Sequence, residues 1–132
     1  MLSKMKLKYS KILPPPGFYA ITIFNCIYRN PKYKNRPISK VTVNHELIHF
    51  AQARDFVFGC EKLYILGYIL FYIFYFIEWF IKFIISIFTS GKVNAYKSVS
   101  FEQEAYLNEK NYDYLNSRNR WEWIKYIFNL KR

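Results

Sequence analysis

Cysteine is nearly absent from this chain: Cys26 and Cys60 stand alone in 132 residues, with no C-x-x-C pair. That excludes a cysteine zinc site and a disulfide framework, and favours a reducing, cytoplasm-facing location. Histidine is equally scarce, at two residues, so a three-histidine metal site cannot be built. Acidic residues are few as well, nine Asp+Glu against 20 Lys+Arg for a net charge of +11. None lies between Met1 and His45, where nine basic residues do (Lys4, Lys6, Lys8, Lys11, Arg29, Lys32, Lys34, Arg36 and Lys40). Such a stretch is drawn to anionic surfaces. With four glycines and five prolines but 13 tyrosines, 13 phenylalanines and three tryptophans, the chain is too aromatic for a disordered segment. Its length allows one compact domain and leaves no room for a separate cofactor-binding half.

Residues 1–17 read as a basic arm, closed by Pro14-Pro15-Pro16-Gly17. The apolar stretch before those prolines is short and lacks a small-residue cleavage site, so a cleaved leader is not expected. Residues 18–132 read as a single domain. Phe18 to Tyr28 is rich in β-branched and aromatic residues and predicts a strand; Ile38 to Val43 predicts a second one beyond the turn at Asn35-Arg36-Pro37, giving a short hairpin. A helix is expected from an Asn44 N-cap to about Phe58, stopped by Gly59. Two further helices, Phe101 to about Leu115 and Trp121 to Leu130, follow a polar loop, the last carrying a stripe of Trp121, Ile124 and Phe128 expected to face the core. The fold class is therefore α+β and mainly helical.

The one pattern that carries chemistry is His45-Glu46-Leu47-Ile48-His49, which contains both histidines of the chain. On a helix, positions i and i+4 share a face, so both imidazoles can reach one zinc ion while Glu46 sits beside its water. Zinc lowers the pKa of that water to ~7, and the carboxylate can take its proton and return it to a leaving amine. Catalytic zinc uses three protein ligands. With no third histidine, the third must be a carboxylate, and Ser100-Phe101-Glu102-Gln103-Glu104 sets two at a helix start. They point about 200° apart, so only one can face the ion. Gln52 lies on the histidine side of the helix and is a candidate contact for substrate or imidazole; Tyr106 is a candidate donor to a developing oxyanion. Asn108, Asp113, Arg118 and Arg120 could orient a ligand, but such residues are common on helices of this kind.

This pattern resembles the gluzincin type of zinc metallopeptidase, whose third ligand is a glutamate on a later helix, often in Glu-x-x-Ala-Asp. It is also similar to short membrane-associated bacterial proteins that carry H-E-x-x-H followed by F-E-x-E-A-Y. The resemblance implies a minimal zincin-like fold, peptide-bond hydrolysis, and Glu102 as third ligand beside His45 and His49, with Glu46 as general base. Ala105 matches the alanine of the motif, whereas Tyr106 stands where the family has an aspartate that orients a zinc histidine.

From Leu63 to Phe88, 22 of 26 residues are apolar, interrupted by Gly67, Glu78, Lys82 and Ser86. This approaches the ~20 residues of a membrane span. A single span would put His45 and His49 on the opposite side from Glu102, and the basic flanks would both be held in the cytoplasm. The expectation is thus a re-entrant or interfacial helical hairpin, bent near Gly67 or Glu78, with Glu78 and Lys82 pairing or snorkelling; the alternative is a helix buried in the domain core, for which a chain of this size has little cover. The expected partners are a peptide or protein substrate and a lipid membrane. Nucleic acid is not expected, because the aromatics cluster in the apolar run instead of alternating with Lys and Arg. The alternative function is a basic membrane-binding adaptor with structural zinc or none.

Overall fold

The computed structural model describes residues 5–17 and 19–132; Lys4 of the arm and Phe18 of the first expected strand lie outside the described residues. The fold is α+β and mainly helical. Strands β1 (Lys6–Tyr9), β2 (Ala20–Ile23) and β3 (Cys26–Arg29) form one sheet in the order β1-β3-β2. The stretch read as one strand folds on itself at Phe24-Asn25, pairing Ile23 with Cys26 and Ala20 with Arg29, with Phe24 in the left-handed region at φ 54°. The basic arm is not free, since β1 runs parallel to β3 from Lys6 opposite Cys26 to Tyr9 opposite Arg29.

Ile38 to Val43 is not a strand. Helix α1 spans Lys40–Asp55, and the Ser39 hydroxyl caps it by accepting from the Thr42 amide at 3.0 Å. A β-branched run (Val41, Thr42, Val43) suggests a strand, but a capping serine and burial against a neighbouring helix outweigh that weak preference. Asn44 consequently lies inside the helix, buried, and its side chain donates to the carbonyls of Glu109 (2.9 Å) and Asn111 (3.2 Å). It closes the far end of another helix instead of opening its own. The helix stops at Asp55, and Gly59, at φ 79°, returns its amide to the Arg54 carbonyl, a left-handed turn that glycine accepts without strain.

Helix α2 runs unbroken over Tyr64–Phe88, so the expected hairpin bend is absent. Gly67 permits helix contact: a Cβ there would stand 2.5 Å from the Ala53 carbonyl oxygen of α1. The inward stripe includes Tyr64, Tyr68, Phe71, Tyr75, Trp79 and Lys82. Lys82 does not snorkel. It is 3 % exposed, paired with Glu78 at 2.6 Å and bonded to the Ser98 carbonyl. Glu78 in turn accepts from the Ser100 amide (2.9 Å) and hydroxyl (2.6 Å). A buried pair so saturated with donors costs less than two lone charges, and it ties the chain after α2 back onto that helix.

That returning chain forms α3 (Ala95–Ser98), α4 (Ser100–Asn108) and α5 (Tyr114–Ser117). Helix α4 ends seven residues before the expected Leu115, because the asparagine-rich turn after it bonds to itself and to Asn44. Trp121 to Leu130 forms only a 3-10 turn over Glu122–Tyr126, with Trp121 itself at φ 64°. Its core residue is Trp123. Phe128, expected to pack, is 94 % exposed. The central cluster joins Ala53 of α1, Tyr68 and Phe71 of α2, Val99, Phe101 of α4 and Trp123.

Candidate metal centre

Helix α1 packs along α2, and α4 packs against α1 and reaches α2 through Phe101, whose ring meets Phe71 and Tyr75; the candidate metal group forms where the three meet. His45 and His49 project one helical turn apart from α1, and Glu102 comes from the first turn of α4. Their ligand atoms all lie within 4.8 Å of one another, so the three could hold a metal ion. His45 Nε2 is 3.1 Å from His49 Nε2; Glu102 Oε2 is 3.4 Å from the first imidazole and Oε1 is 3.5 Å from the second.

The remaining hydrogen bonds fix how the imidazoles are protonated. His45 Nδ1 faces the Glu109 carboxylate at 2.9 Å, which can only accept, so Nδ1 carries the hydrogen. Gln52 donates its Nε2 to the Phe101 carbonyl (3.0 Å) and to Glu104 Oε2 (3.1 Å), leaving Oε1 to accept from His49 Nδ1 at 2.8 Å. In their neutral forms both imidazoles therefore turn an Nε2 lone pair toward the same point, the position His49 fills with a proton when no other cation is there. Glu102 adds a carboxylate there, and its Oε2 is buried with no hydrogen-bond donor. Two lone pairs and an orphaned anionic oxygen facing one another inside a protein are an arrangement for a cation. Burial alone would lower the pKa of His49, but the Glu102 carboxylate overrides it and raises the value to about 9. Burial acts oppositely on Glu102, yet the two imidazoles hold its carboxyl well below the usual carboxylate range. The group thus favours positive charge at its centre.

Glu104, the other acidic candidate, points away. Fully buried, it accepts from Arg118, from the Tyr114 hydroxyl (3.0 Å) and from Gln52. Its connection to the metal group is indirect, through Gln52 to His49. Arg118, one of the residues set aside as common, grips both Glu104 and Asp55 (3.1 and 2.8 Å to the two Asp55 oxygens). Tyr106 is half exposed and packs its ring edge-on against His45, 4.7 Å between centroids. The carboxylate that faces His45 Nδ1 is Glu109, three residues beyond Tyr106. Sequence reasoning did not single out Glu109, although its spacing of seven from Glu102 places both on one helix face. Tyr75 was also missed; its hydroxyl donates to Glu102 Oε1 at 2.8 Å. The only signal for it was its position on the inward stripe of α2.

A cavity of about 400 Å³ opens over this group, lined by His45, Glu46, His49 and Glu102, by the edge strand β2 at Ala20–Thr22, and by aromatic residues of α2. Glu46 thus shares the cavity with the three ligands. One consequence concerns Gln52: a Gln52→Leu change deprives His49 Nδ1 of its acceptor and should weaken metal binding roughly 10–100-fold, measured by competition with a chromophoric chelator. Unchanged affinity would mean that Gln52 serves packing alone. Compared with family models, curated proteins and solved structures, the chain matches none of them, so the reading rests on its own residues and their geometry.

Proposed function

We propose that this chain is a zinc-dependent peptidase of the gluzincin kind, acting on a peptide or protein segment near the cytoplasmic face of a membrane. The observation that carries the reading is the convergence of His45 Nε2, His49 Nε2 and Glu102 on one point of a cavity that also contains Glu46. Donor chemistry supports zinc: two neutral imidazoles and one carboxylate are a known catalytic set, and ligand atoms about 2.0–2.1 Å from one tetrahedral ion lie roughly 3.3 Å apart. The separations of 3.1, 3.4 and 3.5 Å bracket that value. When bound, zinc supplies Lewis acidity, lowering the pKa of a coordinated water to about 7 and polarising a carbonyl.

The chain's own residues have distinct tasks in this reading. His45 and His49 present lone pairs because Glu109 and Gln52 hold their Nδ1 hydrogens. Glu102 supplies negative charge, steadied by the Tyr75 hydroxyl. Glu46 takes the proton of the attacking water and returns it to the leaving nitrogen. Strand β2 is an edge strand, and an extended segment could pair with it as an added strand beside the Thr22 carbonyl that the Tyr72 hydroxyl already engages. Membrane proximity is supported by one helical stretch, Glu61–Phe88, long and apolar enough to cross a bilayer.

The test is cleavage of a mixed peptide library by protein loaded with one zinc per chain, with and without vesicles. Cleavage lost on treatment with a chelator and restored by zinc supports the peptidase. No cleavage by the loaded protein in either setting would favour the membrane adaptor.

A further inference from the structure

The outer face of α2 has no protein partner among the described residues, and its chemistry specifies what it fits. The helix uses one stripe for packing along its full length, from Tyr64 to Lys82 and beyond. Its two charged residues, Glu78 and Lys82, both turn inward and satisfy each other. Nothing polar is left outside but the Tyr72 hydroxyl, which is tied to β2 through the Thr22 carbonyl. Leu66, Ile73, Phe80 and Ile87 follow one another at intervals of seven, all exposed, with Ile69, Phe76, Ile77 and Phe83 beside them. Soluble proteins rarely leave so long an apolar strip uncovered.

Two orientations in a bilayer are open to such a helix, and the packing decides between them. If α2 crossed the membrane, the elements lying along its middle would enter the hydrocarbon with it. Those elements carry the His45-His49-Glu102 group and, on their outer surfaces, exposed charges such as Lys97 of α3 and Lys110 just beyond α4. Each charge at bilayer depth costs several kcal/mol. Lying in the plane, the same helix puts its bare face in lipid and leaves every charged surface in water. Exposed Lys62 and Lys92 then flank the two ends of α2 at headgroup level, and the net charge of +11 favours an anionic leaflet. A second copy of the chain is a poorer cover, because it would bring +11 against +11.

We propose that α2 lies flat in the interface of an anionic bilayer, its Leu66-Ile73-Phe80-Ile87 line facing the acyl chains. The chain is then a monotopic protein whose cavity, walled by the other side of the same helix, is held at the lipid surface. This placement does not depend on the metal or on catalysis. Its test is a depth profile of the full-length protein in phosphatidylglycerol–phosphatidylcholine vesicles, using single nitroxides at cysteines replacing Leu66, Ile73, Phe80 or Ile87 in a Cys60→Ser background. Leu66 and Ile87 are separated by about 31 Å along the helix, which matches the ~30 Å hydrocarbon thickness. The in-plane helix gives four similar depths, about 5–10 Å below the headgroup boundary. A span gives two labels at opposite interfaces and two near the midplane, and overturns the proposal. Ile73→Glu combined with Phe80→Glu should reduce vesicle binding about tenfold or more while His45, His49 and Glu102 still bind one metal ion. Equal binding to neutral and anionic vesicles, or a stable dimer that buries this face and ignores vesicles, would also overturn it.

Discussion

Replacing Glu46 with Gln should leave one metal ion per chain in place and reduce peptide hydrolysis about 10²–10⁴-fold, the range for loss of a positioned general base. The two halves of that result come from different atoms. Glu46 is not among the converging ligand atoms, so the amide removes nothing that holds the ion. It does remove the carboxylate from a cavity whose other acidic wall, Glu102, is committed to the metal group and to Tyr75. Glutamine keeps the volume and the hydrogen-bonding shape, so loss of rate with intact metal isolates proton transfer. Hydrolysis by the variant at the wild-type rate would remove Glu46 from the mechanism.

The largest expected stability change is at Arg118. Its guanidinium reaches both oxygens of Asp55 and both of Glu104, and the side chains of all three are almost wholly buried. An Arg118→Met change leaves two carboxylates facing each other without a cation. Breaking a buried pair in this way costs about 3–5 kcal/mol, because the remaining charge stays desolvated. Arg118→Lys should recover only part of it, since one ammonium cannot reproduce the two-sided grip of a guanidinium. Urea unfolding with the metal chelated measures the folding term alone, without the contribution of metal binding to stability. A loss below about 1 kcal/mol, the range of exposed pairs, would mean that water or a rearranged side chain replaces the arginine.

Arg118 also marks the limit of what the sequence discloses. The candidate ligands His45 and His49 are legible because their relation is local, a spacing of four on one helix. Glu102 and Glu104 are legible as a pair, since their opposite directions follow from helical geometry. Choosing between them depends on which face of α4 meets α1, and that is a tertiary fact. The partners that orient the imidazoles are harder still. Gln52 is readable as being on the right side of its helix, but Glu109 and Tyr75 join the group only because three helices meet. Local rules fail where packing outweighs propensity: the β-branched Val41-Thr42-Val43 enters a helix, and Asn44, a good N-cap by type, caps the end of a different helix.

The apolar segment teaches a related point. Composition made it long enough for a span, and the positions of the metal ligands at its two ends made a span contradictory. A hairpin resolves that conflict only if the flanking segments lie beyond the helix ends. They instead fold back along it, so His49 sits 5.7 Å from Phe71 and Glu102 meets Tyr75, both near mid-helix. One straight helix and one shared metal group are compatible once the site lies beside the helix and not at its ends.

The most direct test of the central claim is the metal content of purified protein, prepared without chelator, by elemental mass spectrometry for wild type, Glu102→Gln and Glu104→Gln. Both substitutions preserve volume, so they separate a ligand from a buried neighbour. One zinc per wild-type chain, lost with Glu102→Gln and retained with Glu104→Gln, is the predicted result. Wild-type protein free of metal, or a loss that follows Glu104 in place of Glu102, would contradict it.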